Sequence, residues 1–279
     1  MINIFFFSIL YADDTKILAI IRNEQDNILL QEDLYKLENW SKDWLLKFNT
    51  DKCKIMHFGG KNPKFEYELD NHILAEILIE RDLGIQIENN LKWERQVRVA
   101  ASKANGVLAQ IKNAFSYLDP KCAKLLYTSL VRPHLEYANA VWNPYFVKDI
   151  EALEKVQHRA TKIPRFSKLS YEERLKKMNL TTLSERRERG DLIAIFKILK
   201  GIDQVSWYGP VRQFEPTSRG LKVKLERQLV KRSTARFQFL TNRVVESCWN
   251  HLPQDVINAT NVNNFKKLLG EHQIKLSKS

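Results

Sequence analysis

Two adjacent aspartates, Asp13 and Asp14, stand between two apolar runs in the sequence SILYADDTKIL, residues 8–18. Adjacent carboxylates repel each other, and a divalent cation bound between them removes that repulsion, so the pair is a candidate metal site. The alternative is an ordinary tight turn, because Asp side chains bond to nearby backbone amides and tolerate unusual backbone angles. The local sequence leaves both interpretations open.

The residues on either side of the pair predict a β-hairpin. Residues 4–10 are apolar and aromatic and predict a strand, residues 11–15 predict the turn, and residues 16–21 predict the returning strand. Such a hairpin would place both carboxylates at the rim of a sheet.

A helix and several short strands are predicted after this hairpin. Apolar residues recur at helical spacing from Leu30 to Leu45, and we expect Trp40 and Trp44 to lie in the core. The sequence KFEYELD, residues 64–70, alternates apolar and charged residues, which indicates a half-buried antiparallel strand. Residues 1–92 therefore predict an antiparallel sheet with a helix packed on one face.

The remainder of the chain predicts helices, so the expected fold class is α+β. We divide it into a helical region at 93–165 and a basic, mainly helical region at 166–279, with a linker near 202–220. Helix starts are marked by Asp119 before a proline, and by Ser and Thr residues followed three positions later by Glu, at Ser170 and Thr182.

The net charge of +12 is unevenly distributed. Residues 1–90 carry 10 Lys and Arg against 16 Asp and Glu, whereas residues 91–279 carry 35 against 17. A basic excess of this size favours nucleic acid as the partner, because Lys and Arg replace its condensed counterions. The alternatives are a solvated basic surface and, less favoured, an anionic membrane surface. No apolar stretch reaches the roughly 20 residues that a membrane span needs.

Three cysteines, Cys53, Cys122 and Cys248, lie far apart in the sequence. Their number and spacing exclude a disulfide framework and a CxxC zinc motif, and they suit a reducing, intracellular compartment. They do not distinguish the nucleus from the cytoplasm.

Several sequence motifs occur in an order that resembles the reverse transcriptases of LINE-type, non-LTR retrotransposons. The resemblance covers nearly the whole chain from Leu10 onward. It implies a truncated palm sheet at 1–92, a thumb-like region at 93–165 and a C-terminal tail at 166–279. The motifs are YADDTKI (11–17), LENWSKDWLLKFNTDKCKIMHFG (37–59), RDLGIQI (81–87), LVRPHLEYANAVWNP (130–144) and LEKVQHRATK (153–162).

The resemblance implies RNA-directed DNA polymerase chemistry, in which two metal ions stabilise the attacking and leaving oxygens of nucleotidyl transfer. Asp13 would be the principal catalytic metal ligand of this turn, and Asp14 a neighbouring acidic group with a lesser role. The ions would be Mg²⁺ or Mn²⁺, which bind hard carboxylate oxygens. Tyr11 would pack near the primer end, and Ala12 is small enough to let nucleic acid approach.

The resemblance also implies partners, namely an RNA template and a DNA primer paired as a hybrid. Leu83 and Gly84 would approach the primer backbone, although an ordinary hairpin with a glycine bulge explains the same residues equally well. Basic residues of the thumb-like region would contact phosphates, or each would simply be solvated. These residues are Lys103, Lys112, Arg132, Arg159 and Lys162.

Only ten residues precede Tyr11, where the family has its fingers and a further palm aspartate. We therefore expect a truncated element that does not polymerise DNA alone, because two ions need more ligands than one Asp pair supplies. The alternatives are a non-catalytic nucleic-acid-binding remnant and a degenerate element product. The sequence leaves the oligomeric state open.

Overall fold

The computed structural model describes residues 7–11, 14–205, 212–214 and 224–276. The chain divides into two compact units, Met1–Lys92 and Trp93–Ser279. Short strands predominate in the first unit and helices in the second, so the fold is mixed α and β.

The first unit contains one long helix and a series of short strands. In chain order they are β1 (Phe7–Tyr11), β2 (Asp14–Leu18), α1 (Glu24–Asp43), a 3-10 turn (Thr50–Lys52), β3 (Lys54–Ile55), β4 (Glu68–Leu69), β5 (His72–Ile73), β6 (Ala75–Glu76), β7 (Ile79–Asp82) and β8 (Ile85–Glu88).

These strands form separate two-stranded ladders in the described part of the chain, where we expected one antiparallel sheet. Strand β1 pairs with β2, β4 with β5, and β7 with β8, all antiparallel. Strand β3 pairs with β6 in parallel, contrary to the expectation. The β4–β5 hairpin lies between β3 and β6 in the sequence. After this hairpin the chain enters β6 in the same direction as β3.

The core of the first unit lies between α1 and the segment around β4. Leu34 and Leu37 of α1 are buried against Tyr67 and Leu69. The alternation predicted for residues 64–70 is therefore confirmed as a burial pattern, but only Glu68–Leu69 joins a ladder.

The Gln31 side chain explains in part why the ladder at residues 64–70 is shorter than predicted. Its amide group binds the backbone of Glu68 in the way that a neighbouring strand would. Gln31 Nε2 donates to the Glu68 carbonyl at 2.9 Å, and the Glu68 amide donates to Gln31 Oε1 at 3.0 Å.

The C-terminal end of α1 differs from the prediction. The helix ends at Asp43, and Trp44 and Leu45 are exposed, so the expectation that Trp44 lies in the core is wrong. Leu45 takes a left-handed backbone conformation with φ of 55°, which turns the chain out of the helix.

The second unit is mainly helical. Its elements are α2 (Glu94–Ala114), α3 (Pro120–Leu126), a π turn (Tyr127–Val131), α4 (Arg132–Glu136), α5 (Asn139–Trp142), α6 (Val147–Ala160), α7 (Tyr171–Met178), α8 (Leu183–Leu199), β9 (Arg212–Phe214), β10 (Lys224–Glu226), α9 (Thr234–Phe237), α10 (Leu240–Ser247), a 3-10 turn (Trp249–His251), α11 (Gln254–Ile257) and α12 (Val262–Leu276).

The three predicted helix starts are confirmed. The Asp119 carboxylate accepts the amides of Lys121 and Cys122 at the start of α3, at 2.8 and 3.2 Å. Ser170 and Thr182 each open a helix with a complete capping box, in which the Glu at the third helical position bonds back to the cap residue.

Two further differences concern breaks in the helical pattern. The π turn comes directly before α4, whose second residue is Pro133; proline lacks an amide hydrogen and crowds the carbonyl four residues earlier, so the turn widens. Strand β9 lies inside the predicted linker and pairs antiparallel with β10.

Helices α2 and α6 lie side by side and run in the same direction. Lys148 Nζ binds Glu94 Oε2 at 2.5 Å, and Arg159 Nη1 binds Asn105 Oδ1 at 2.9 Å, and both contacts join residues 54 positions apart. The constant separation means that the two C-terminal helix ends lie at the same end of the pair.

Candidate functional site

The acidic turn lies at the tip of the β1–β2 hairpin. The register pairs Phe7 with Leu18 and Tyr11 with Asp14, and two residues, Ala12 and Asp13, lie between the strands in the sequence. Ala12 and Asp13 themselves lie outside the described residues, as does the side chain of Tyr11. Asp14 is exposed, as expected for a residue at the rim of a ladder.

Strand β2 is attached to the rest of the first unit by two side chains. Ile17 packs against the apolar cluster that contains Leu34 and Tyr67. Its neighbour Lys16 forms an ion pair with Asp82, the last residue of β7. Since a two-stranded hairpin is only marginally stable alone, these contacts hold the acidic hairpin beside the β7–β8 hairpin.

The β7–β8 hairpin turns through Leu83 and Gly84. The strands pair one residue to one, with Ile79 opposite Glu88 at the open end and Asp82 opposite Ile85 at the turn. The connection is therefore a two-residue turn and not a glycine bulge. Both turn residues have positive φ, 45° for Leu83 and 86° for Gly84, as a type I′ turn requires. Leu83 is exposed at the turn, where an L-residue is disfavoured and Gly is not.

The chemistry of Asp14 fits a divalent cation, since its exposed carboxylate offers hard oxygen ligands. Among the described residues, which exclude Asp13, no group of three or more His, Cys, Asp and Glu side chains is placed to hold a metal ion. The structure therefore describes one carboxylate of the candidate Mg²⁺ or Mn²⁺ site and not a complete ligand set.

Four of the five predicted phosphate-contacting residues are exposed on or after α2 and α6. Lys103 and Lys112 lie on α2, Arg159 lies near the end of α6, and Lys162 follows it. The parallel packing of the two helices brings Arg159 to α2, at Asn105.

Arg132 has a different environment from the other four. It is half-buried and lies 3.7 Å from Glu136, which also pairs with Arg186. Burial, and then the Arg186 guanidinium, lower the pKa of Arg132 from its usual value. A phosphate would have to compete with Glu136 for this guanidinium.

Contacts between cations and aromatic rings lie at the C-terminal ends of α2 and α6, and sequence reasoning missed them. The guanidinium carbon of Arg165 lies 5.1 Å from the ring centroid of Tyr117, and Lys177 Nζ lies 5.3 Å from that of Phe166. The available signal was the absence of acidic residues from 95–118 and from 155–171.

No known protein family, curated protein or solved structure matches this chain. In the part of the chain that the structure describes, no helix combines the length and the apolar character that crossing a bilayer requires.

Proposed function

We propose that this chain is related to the reverse transcriptases of non-LTR retrotransposons and binds a hybrid of RNA template and DNA primer. The proposal rests on the resemblance of its ordered motifs. The observation that carries it is the ion pair between Lys16 and Asp82, which joins the YADD hairpin to the RDLG hairpin. Two of the motifs that carry the resemblance are thereby neighbours, through residues 66 positions apart in the sequence.

The two hairpins would share the primer terminus. Gly84, the second residue of this exposed turn, has no side chain, which suits close approach of its backbone to a sugar-phosphate chain. The turn at Ala12 and Asp13 would face the primer end, with Tyr11 packed beside it. Asp13 and Asp14 would hold Mg²⁺ or Mn²⁺, which supplies charge stabilisation for nucleotidyl transfer when bound.

The second unit would bind phosphates without reading base sequence. Lys103, Lys112 and Arg159 are exposed cations on one pair of parallel helices, and the exposed Lys162 follows the second of them. Contacts of this type position a duplex and carry no sequence information. We leave Arg132 out of the proposed interface because it is half-buried and a phosphate would have to compete with Glu136 for it.

A second candidate function is non-catalytic nucleic-acid binding by the second unit alone. The observation that favours it is the pair of acid-free stretches, 95–118 with four basic residues and 155–171 with five. A degenerate product without a selected role is the remaining possibility, and it predicts only weak, non-specific binding.

A binding experiment tests the role of the acidic turn. The ligand is an RNA–DNA hybrid with a recessed primer end, and affinity is measured by fluorescence anisotropy with EDTA and with Mg²⁺. We expect the double variant Asp13→Asn, Asp14→Asn to bind more tightly than the unaltered chain in EDTA, because two charges that repel phosphates are removed. Mg²⁺ should strengthen binding by the unaltered chain and not by the variant.

The matched control is Asp43→Asn with Asp51→Asn, which removes two exposed charges from the same unit. If both double variants respond alike to EDTA and Mg²⁺, the acidic turn does not face the primer. A primer-extension assay then addresses catalysis: we expect no extension by this chain alone. Extension that Asp13→Asn abolishes would show that the metal site is complete.

A further inference from the structure

Aromatic rings and cations lie close together in the sequence where α2 and α6 end, and two cation–ring contacts join them. Phe115 and Tyr117 follow α2, and Arg165 and Phe166 follow α6; Lys177 of α7 reaches the ring of Phe166. We call these five residues the aromatic–basic platform. Phe115 and Tyr117 are both exposed, the latter to 56%.

The charge around the platform is positive. Lys112 and Lys162 are exposed at the adjoining helix ends, and Lys168 is exposed just after Phe166. The nearest acids in sequence are Asp119, Glu172 and Glu173. Asp119 accepts the amides that begin α3, Glu173 accepts the amide of Ser170 at 2.7 Å, and Glu172 is exposed.

Exposed rings of this kind suit unpaired bases. A base in a duplex is stacked on its neighbours and offers only its edge, whereas an unpaired base offers a face that stacks on Tyr or Phe. Arg and Lys beside the rings neutralise the phosphates of the same strand. An acidic peptide would use the cations but would leave the rings without a stacking partner.

We propose that the aromatic–basic platform binds a single-stranded segment of nucleic acid, with bases stacked on Tyr117 and Phe115. This inference deepens the proposed function, because it takes nucleic acid as the partner of the second unit. It adds a site for unpaired nucleotides, such as the template beyond the end of the hybrid, to the phosphate contacts proposed above.

The test measures the affinity of the full chain for labelled oligo-U and for a hybrid duplex of equal length. We expect Tyr117→Leu and Phe115→Leu each to weaken oligo-U binding about 5-fold to 150-fold, the range for loss of one stacked base. Binding of the blunt hybrid should change less than twofold. The salt dependence of oligo-U binding should keep its slope, because no phosphate contact is removed.

Two further variants separate stacking from disturbed folding. Tyr117→Phe keeps the ring and should bind oligo-U as the unaltered chain does. Tyr137→Leu removes a tyrosine of similar exposure, 57%, elsewhere on the second unit, and should also leave binding unchanged. Far-ultraviolet circular dichroism checks that each variant is folded.

The outcomes distinguish the two proposals. If Tyr117→Leu and Phe115→Leu bind oligo-U as tightly as Tyr137→Leu does, the platform is not a stacking site, whatever happens to hybrid binding. If ring loss weakens oligo-U binding while the acidic-turn variants match their control, the platform stands and the proposed role of the first unit fails. Absence of binding to either ligand overturns both.

Discussion

The contact between Lys16 and Asp82 provides the sharpest test of how the two hairpins of the first unit are held together. Truncating either side chain removes the ion pair while leaving both ladders and the apolar contact of Ile17 in place. We predict that Lys16→Ala and Asp82→Ala each loosen the β1–β2 hairpin, and that the double variant is no looser than the single variants.

The expected magnitude follows from the exposure of the pair. The Lys16 and Asp82 side chains are 41% and 25% exposed, so solvent screens their attraction only in part. Exposed pairs contribute about 0.2–1 kcal/mol, and we place this pair at the upper end, near 1 kcal/mol. Since 1.4 kcal/mol corresponds to a factor of ten, local opening should become about fivefold more frequent.

Hydrogen exchange measured by mass spectrometry is the appropriate assay, because it reports local opening of individual segments. Peptides covering 14–18 and 79–88 should exchange faster in both single variants. The control is the same set of single and double variants at Lys54 and Glu80, which are 3.8 Å apart and 42% and 46% exposed. The coupling energy of this pair should be smaller than that of Lys16 and Asp82.

Restoring the pair with reversed charges completes the test: Lys16→Asp combined with Asp82→Lys should recover most of the protection. A coupling energy near zero for Lys16 and Asp82, equal to that of the control pair, would refute the adjacency of the two hairpins.

Three further predictions concern stability. Tyr127→Phe removes a buried hydrogen bond of 2.6 Å to Gln157 Oε1 and should lower the unfolding free energy by about 1–3 kcal/mol in urea titrations. Gly84→Ala places a side chain at φ of 86° and should cost about 1 kcal/mol, measured as faster exchange of residues 79–88. Burial of His158, followed by a nearby guanidinium, lowers its pKa below 6.5. As the pH falls, the unfolded chain therefore binds a proton at His158 at a higher pH than the folded chain does. The contribution of neutral His158 to the unfolding free energy should therefore be fully present above about pH 6.5 and decline as the pH falls towards the folded-state pKa. Urea titrations at pH 5 and 7.5 should show a smaller decline for His158→Gln.

Local sequence signals predicted much of the secondary structure of this chain. The helix caps at Asp119, Ser170 and Thr182 depend only on side chains within three residues, and all three are present. The burial pattern of residues 64–70 also followed from their alternation. These features are set by neighbours along the chain, which a single sequence contains.

Features that depend on distant residues were not predictable in this way. The amide of Gln31 occupies the edge of β4 from 37 residues away, and β3 pairs with β6 in parallel across an intervening hairpin. The end of α1 was missed because the left-handed conformation of Leu45 has no local signature in a leucine.

The candidate site was predictable in its residue types and not in its contacts. The aspartate pair and the basic residues follow from composition and from the resemblance to a polymerase. The partner of Lys16 and the half-buried position of Arg132 depend on packing between segments far apart in sequence. The contact between Arg165 and Tyr117 joins residues 48 positions apart, so it too depends on packing that the local sequence does not specify.

Crosslinking from the primer terminus tests the central claim most directly. An RNA–DNA hybrid carrying a photoreactive nucleotide at the recessed primer 3′ end is bound to the full chain, irradiated and mapped by mass spectrometry. The account predicts crosslinks in residues 11–14 and 82–85, at the tips of the two hairpins. Crosslinks confined to the second unit would contradict it.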